Sequence, residues 1–92
     1  GRIKRLIISG GENIHPAEVE EVLEQYPGII QAAVVGTADP KWDEVPVALI
    51  VTGDGKDLDE SAVRAYLNQN LGRFKHPRRI IRAEALPHTP LG

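Results

Sequence analysis

A basic segment with one aromatic side chain, residues 73–79, carries the residue types in this sequence that are best suited to bind a ligand. Phe74 can stack on a planar ring, and Arg78 with the neighbouring cations can hold phosphate groups through charge-assisted hydrogen bonds. The same composition also suits the end of a helix, where cations interact favourably with the helix dipole. The residue types alone leave both interpretations open.

A pair of glycines, Gly10 and Gly11, follows a strand candidate at residues 5–8 and precedes a stretch of helical periodicity. Because glycine lacks a Cβ, the backbone here can approach a ligand or another chain segment closely. Pro16 suits the first turn of a helix, where its missing N–H has no cost. The pair is interpreted either as a plain strand-to-helix turn or as part of a binding loop.

Several classes of function lack support in the sequence. The 92 residues contain no cysteine, which excludes disulfides, thiolate metal sites and cysteine nucleophiles. His15, His76 and His88 are scattered, and no phosphate-binding loop motif occurs. The acidic residues at 18–24 are typical of a solvated helix face, so no metal site is predicted. The net charge of −2 would not attract nucleic acid, and no apolar run has the length of a transmembrane segment.

Hydrophobic periodicity predicts a single α+β domain with the element order β-α-β-β-α-β, in which two helices pack on a small mixed sheet. The predicted strands are residues 5–8, 29–35, 45–51 and 78–82. A polar loop is predicted at residues 36–44, which contain the only tryptophan. The second helix is predicted to begin at Asp57 or Asp59 and to end before Gly72.

The order of the motifs along the chain resembles a known family. The motifs are Gly-Arg-Ile-Lys at 1–4, Gly-Gly-Glu-Asn-Ile at 10–14 with a proline two positions on, Asp-Pro-Lys-Trp at 39–42, the basic segment, and Leu-Pro-His-Thr-Pro-Leu-Gly at 86–92. Together they cover essentially the whole chain and resemble the small C-terminal domain of the adenylate-forming enzymes, in particular acyl-CoA synthetases and aryl-CoA ligases. At Asp43 the sequence departs from the glycine that usually follows the tryptophan in this family.

The resemblance implies that residues 1–92 are the mobile C-terminal lid domain of an ATP-dependent acyl-CoA synthetase, an acid–thiol ligase of the cytoplasm. Such an enzyme converts a carboxylic acid and ATP into an acyl-adenylate and then transfers the acyl group to CoA, with Mg²⁺ accompanying ATP. The implied partner is a large N-terminal domain of the same polypeptide. Residues 86–92 match a truncated catalytic tail, whose adenylation lysine would follow Gly92. The chain by itself is therefore expected to be inactive, with no catalytic residue of its own.

The resemblance also assigns roles to individual residues. Lys4, with Arg2 before it, matches the hinge at residues 1–4 on which the lid rotates. Gly10 and Gly11 match a loop that lines the tunnel for the pantetheine arm of CoA. The positions that contact the CoA nucleotide match four residues, namely Trp42, Phe74, His76 and Arg78.

Two alternatives remain open at this stage. A free-standing α+β regulatory or binding module would use the glycine pair as a structural turn and would contain a ligand pocket within its 92 residues. The lid of an adenylate-forming enzyme that acts on a carrier protein would share the pantetheine tunnel. In that case the basic segment at 73–79 would have no nucleotide to bind.

Overall fold

The chain folds around a sheet that is covered by two helices, as seen in a computed structural model that describes residues 6–86. Within these residues, five strands and two helices follow the order β-β-α-β-β-α-β. The elements are β1 (Ile7–Ser9), β2 (Glu12–Ile14), α1 (Pro16–Glu24), β3 (Ile29–Asp39), β4 (Asp43–Thr52), α2 (Glu60–Asn70) and β5 (Arg79–Arg82). A short 3-10 turn, Arg73–Lys75, precedes β5. In the described part of the chain, no helix is long and apolar enough to cross a membrane.

Strand β4 lies at the centre of the sheet. The strands follow the order β2-β1-β4-β3, and β5 pairs in parallel with β4. Strands β3 and β4 form a long antiparallel hairpin in which Val35 pairs with Val47 and Asp39 with Asp43. The other edge of β4 is shared, because β1 pairs with it at Asp43 while β5 pairs with it from Val47 to Ile50. The nearly continuous apolar run of β4 suits a strand with neighbours on both edges and cover on its faces.

One apolar core joins both helices to the sheet. Helix α1 contributes Val19 and Leu23, and α2 contributes Val63 and Leu67, so each pair lies on one face of its helix and is fully buried. The buried strand residues of the same core are Ile7, Ile14, Ile29, Ala32, Val34, Ala48 and Ile50. Packing of these faces, rather than local propensity, provides most of the stability of helices this short.

The predicted fold class is confirmed, and the structure adds one strand that was not predicted. Gly10 and Gly11 do not lead directly into a helix, since they form the turn of an antiparallel hairpin between β1 and β2. The predicted loop at residues 36–44 is wrong for most of its length, because β3 extends to Asp39 and β4 begins at Asp43. Backbone pairing with β4 holds these polar residues in a strand despite their composition.

The second helix begins and ends close to the predicted positions. Asp59 is its N-cap, and its carboxylate accepts a hydrogen bond from the Ser61 N–H at 3.0 Å. At the other end, Leu71 adopts an extended conformation and its N–H donates to the Leu67 carbonyl. Gly72 follows with a φ of −56°, so the helix ends there without the left-handed glycine that often terminates helices.

Two carboxylates of α1 hydrogen-bond to the backbone of the edge strand β3. The Val34 N–H donates to Glu20 Oε2 at 2.8 Å, and the Ala32 N–H donates to Glu24 Oε2 at 2.9 Å. Glu20 and Glu24 are four residues apart, a rise of about 6 Å along the helix. This rise nearly matches the roughly 6.7 Å between alternate strand residues, so the two side chains reach alternate N–H groups. The predicted solvated acidic face is therefore wrong for Glu20, which is buried and protects an edge that could otherwise pair with another chain.

We predict that Glu20→Ala lowers the free energy of unfolding by about 1–3 kcal/mol, because it leaves the buried Val34 N–H without its acceptor. Urea unfolding of the chain measures the loss. Glu21→Ala is the matched control, since Glu21 is exposed on the same helix, and its effect should stay within about 0.5 kcal/mol. Equal losses for the two variants would contradict the role given to Glu20.

Candidate functional site

A groove on the surface brings together residues from four parts of the chain. Its volume of about 360 Å³ is typical of a small-molecule site. The residues that line it come from the two hairpins, from α2 and from the segment before β5, namely Ser9, Glu12, Trp42, Val45, Pro46, Arg64, Arg73, Phe74, His76, Pro77 and Arg78. The four residues that the sequence resemblance assigned to nucleotide contacts therefore lie around one cavity.

A close contact between Gly10 and Trp42 supports the wall of the groove to which Trp42 belongs. The Gly10 N–H donates to the Trp42 carbonyl at 2.8 Å, and a Cβ on Gly10 would overlap Cε3 and Cζ3 of the indole ring. Gly10 and Gly11 have φ angles of +56° and +86°, which residues with side chains rarely adopt. A Cβ on Gly11 would meet no atom within 4 Å. Gly10 thus makes room for the indole, whereas Gly11 borders open space.

Local hydrogen bonds hold Trp42 in its place on the β3–β4 turn. The Asp39 carboxylate accepts from the backbone N–H groups of Lys41 at 3.0 Å and of Trp42 at 2.8 Å, as in other Asx turns. The Glu44 N–H donates to the Trp42 carbonyl at 2.8 Å. The indole side chain rests on Gly10, yet Trp42 remains 39% exposed. Trp42 therefore has a fixed position and still offers surface to a ligand.

The residue after this tryptophan, Asp43, has a φ of +76°. Within residues 6–86 it is the only residue other than glycine with a positive φ. A glycine adopts this conformation without the steric cost that a Cβ brings. Asp43 does not belong to the groove lining. The aspartate therefore strains the turn but adds no carboxylate to the wall of the groove.

The 3-10 turn Arg73–Lys75 presents the second aromatic side chain of the groove. Phe74 is 48% exposed, and the turn that carries it is closed by a hydrogen bond of 3.0 Å from the Lys75 N–H to the Gly72 carbonyl. Lys75 Nζ lies 3.0 Å from both carboxylate oxygens of Glu18, so its charge is compensated and the turn is tied to α1. Phe74 therefore offers a stacking surface on a turn that is anchored to the helix beside it.

Three arginines line the groove, and two of them, Arg73 and Arg78, have side chains without a hydrogen-bond or ion-pair partner among the described residues. His76 also lines the groove, and its Nε2 donates a hydrogen bond of 3.0 Å to the Leu71 carbonyl. Glu12 is an acidic residue of the lining. Aromatic surfaces next to unpaired guanidinium groups suit a ligand that carries both a planar ring and phosphate.

The structure brings together some predicted site residues and leaves others outside its range. The predicted hinge residues Arg2 and Lys4, and residues 87–92 of the predicted tail, lie outside the described residues.

In the described part, no group of three or more His, Cys, Asp or Glu side chains could hold a metal ion. No individual role was predicted from the sequence for Arg73 or for Arg64. The only sequence pattern that involves Arg64 is its spacing of four residues from Glu60, which is typical of a surface ion pair.

Known proteins contain a segment that is similar to this chain. Residues 18–92 match the family described as "AMP-binding enzyme C-terminal domain". The long-chain-fatty-acid–CoA ligase FadD13 of Mycobacterium tuberculosis is 43% identical over 91 residues, and the indoleacetate–CoA ligase of Aromatoleum aromaticum is 46% identical over 92 residues. These matches cover 99% and 100% of this chain, respectively, and 18% of each relative, so the chain spans less than a fifth of the length of either ligase.

The fold is also similar to part of a solved structure, that of the amide bond synthetase McbA from Marinactinospora thermotolerans. The TM-score is 0.87 at 37% sequence identity, over 100% of this chain and 19% of that chain. By their names, the two relatives are CoA ligases, whereas the third protein forms amide bonds. The fold alone therefore does not determine the reaction.

We predict that Gly10→Ala destabilises the chain by about 1–3 kcal/mol more than Gly11→Ala, the usual cost of overpacking a well-packed site. Both residues have a positive φ, so the backbone strain largely cancels and the difference reports the overlap with Trp42. Urea unfolding followed by the emission of Trp42, the only tryptophan, measures both variants. Equal losses would mean that the indole can move away at no cost.

We also predict that Asp43→Gly raises the free energy of unfolding by about 0.5–1 kcal/mol, because relief of strain exceeds the added entropy of the unfolded chain. Thermal and urea unfolding provide the measurement. Asp43→Ala is the control, since it removes the carboxylate but keeps the Cβ, and it should not stabilise the chain. Stabilisation by both substitutions would assign the effect to charge and contradict the conformational explanation.

Proposed function

Because this chain belongs to the AMP-binding enzyme C-terminal domain family, we propose that it is the C-terminal lid of an ATP-dependent acyl-CoA synthetase. The complete enzyme converts a carboxylic acid and ATP into an acyl-adenylate and pyrophosphate, and then transfers the acyl group to the thiol of CoA with release of AMP. The observation that carries this proposal is the groove in which Trp42, Phe74 and Arg78 meet beside the glycine hairpin.

The groove supplies the chemistry that the nucleotide part of CoA requires. Phe74 and Trp42 offer exposed aromatic surface on which adenine can stack. Arg73 and Arg78 offer guanidinium groups without partners among the described residues, which suit the 3′-phosphate and the pyrophosphate of CoA. His76 lines the same groove and stays in the proposed contact set through its second ring nitrogen.

The glycine hairpin supports a path for the pantetheine arm. Gly10 is packed against Trp42, so its small size serves the wall of the groove. The open space beside Gly11 is where a thin, extended chain can pass close to the backbone without meeting a side chain. We propose that the arm runs from the groove past Gly11 toward the acyl-adenylate. The predicted role of the glycine pair is thereby divided between the two residues.

The remaining partners belong to the larger protein. ATP, Mg²⁺ and the carboxylic acid would be held mainly by a large N-terminal domain, and the lid would turn about a hinge near Lys4 between the two half-reactions. The two relatives named above are ligases of a long-chain fatty acid and of indoleacetate, which differ in size and polarity. Because these two ligases share CoA but differ in their acid, we propose that the lid recognises CoA rather than the acid. The cytoplasm, where ATP and CoA are both available, is the proposed location.

A second candidate function is the lid of an adenylate-forming enzyme with a different acyl acceptor. The similarity to an amide bond synthetase favours this possibility. In such an enzyme the cations of the groove would not contact a nucleotide, and their removal would not affect the acceptor step. The same substitution in the groove therefore separates the two candidates.

We predict that Arg78→Ala in the full-length enzyme raises the KM for CoA about fivefold, the effect of losing roughly 1 kcal/mol from a solvent-exposed charged contact. The adenylation half-reaction, measured as ATP–pyrophosphate exchange, should be unchanged. Arg79→Ala is the matched control, because Arg79 is an exposed neighbouring cation outside the groove lining, and it should leave the KM for CoA unchanged.

A comparison of CoA with dephospho-CoA, which lacks the 3′-phosphate, tests which phosphate Arg78 contacts. If Arg78 contacts the 3′-phosphate, Arg78→Ala should weaken the use of CoA but hardly change the use of dephospho-CoA. An unchanged KM for CoA in Arg78→Ala would contradict the proposed function and favour another acyl acceptor. An equal loss for both ligands would assign Arg78 to the pyrophosphate or to the fold.

A further inference from the structure

One guanidinium group, that of Arg64, connects helix α2 to the segment that carries Arg78. Its Nη1 donates to the Pro77 carbonyl at 2.6 Å, and its Nη2 donates to the Arg78 carbonyl at 3.2 Å. Its Nε donates to Glu60 Oε2 at 3.1 Å, one helical turn earlier on α2. The side chain is 30% exposed, so these contacts are partly shielded from water. The rigid fork of an arginine thus holds two consecutive carbonyl groups of an irregular segment.

The backbone of Arg78 is held from two sides as a result. Its N–H donates to the Pro46 carbonyl of β4 at 2.7 Å, while its carbonyl accepts from Arg64 of α2. The point from which the Arg78 side chain leaves the backbone is therefore fixed relative to both the sheet and the helix. The side chain itself is exposed and has no partner among the described residues.

We propose that Arg64 is a positioning residue, which holds the Pro77-Arg78 backbone so that the Arg78 side chain extends into the groove from a fixed point, within reach of the phosphates of the ligand. This inference rests on the proposed function, since it concerns the same nucleotide groove. A backbone segment that is already ordered loses less conformational freedom on binding, so this backbone clamp improves affinity without touching the ligand. Glu60 supports the clamp by fixing the orientation of the Arg64 side chain.

Two other roles for Arg64 make different predictions. Arg64 lines the groove, so it could contact the ligand directly with its remaining N–H groups. It could also be a structural link between α2 and the segment before β5, with no effect on the ligand. A direct contact would act independently of Arg78. A structural link would change stability without changing the KM for CoA.

The test is a double-mutant cycle in the full-length enzyme, with Arg64→Met, Arg78→Ala and the double variant. Methionine keeps an apolar stem of similar length and removes the donors. Arg64→Met should raise the KM for CoA about threefold to fivefold, leave ATP–pyrophosphate exchange unchanged, and add almost nothing to Arg78→Ala. Arg64→Lys should restore part of the loss, because a lysine can donate to one of the two carbonyls. Arg79→Met is the charge-matched control and should have no effect.

Each outcome of the cycle decides the inference. Independent, multiplicative effects of the two substitutions on the KM would overturn it in favour of a direct contact, and an unchanged KM in Arg64→Met would overturn it in favour of a structural link. If Arg64→Met does not fold, Glu60→Gln replaces it, since Glu60 is exposed and its loss should give a smaller rise in the KM for CoA.

Amide hydrogen exchange separates failure of this inference from failure of the proposed function. In Arg64→Met, the Arg78 amide should exchange faster than in the unmodified enzyme, and Arg79→Met should leave it unchanged. This readout does not involve CoA. Unchanged exchange at Arg78 would overturn the clamp itself, whereas faster exchange together with an unchanged KM for CoA in Arg78→Ala would leave the clamp intact and contradict the proposed nucleotide site.

Discussion

The absence of a side chain at Gly10 is the constraint on which the groove depends. Because no Cβ occupies that position, the indole of Trp42 can rest directly on the backbone of the β1–β2 hairpin. The hydrogen bond from the Gly10 N–H to the Trp42 carbonyl fixes the same contact. The β1–β2 hairpin and the β3–β4 turn, more than thirty residues apart in sequence, thereby lie side by side at the groove. The glycine turn thus determines where the indole of Trp42 offers its stacking surface.

The cationic residue Arg78 is positioned by hydrogen bonds to its backbone rather than by close packing. Arg78 lies on an irregular segment, and its backbone is held by Pro46 of β4 and by Arg64 of α2. Lys75 is engaged by Glu18 of α1, so the segment contacts both helices and the sheet. The core elements thus position every part of the groove, although most of the groove residues lie in turns and short segments.

The sequence predicted the parts of the fold that depend on long periodic patterns. The two helices and the strand at residues 45–51 were predicted from hydrophobic periodicity, and in the structure Val19, Leu23, Val63 and Leu67 form the buried faces of those helices. Strand β2 was missed because its three residues, Glu12–Ile14, are too few and too polar to show alternation. In the site, the family resemblance supplied Trp42, Phe74, His76 and Arg78. Their meeting in one groove, and the roles of Arg64 and Glu20, depend on contacts between distant residues that no local pattern contains.

The most direct measurement is photo-labelling of the full-length enzyme with a CoA analogue that carries an azide on its adenine ring. If the groove holds the nucleotide, the labelled peptides will contain Trp42 or Phe74, and excess CoA will remove the label. Labelling confined to other parts of the enzyme, and competed by CoA, would contradict the assignment of this groove. Because the label reports the position of adenine, the result does not depend on how much any one residue contributes to affinity.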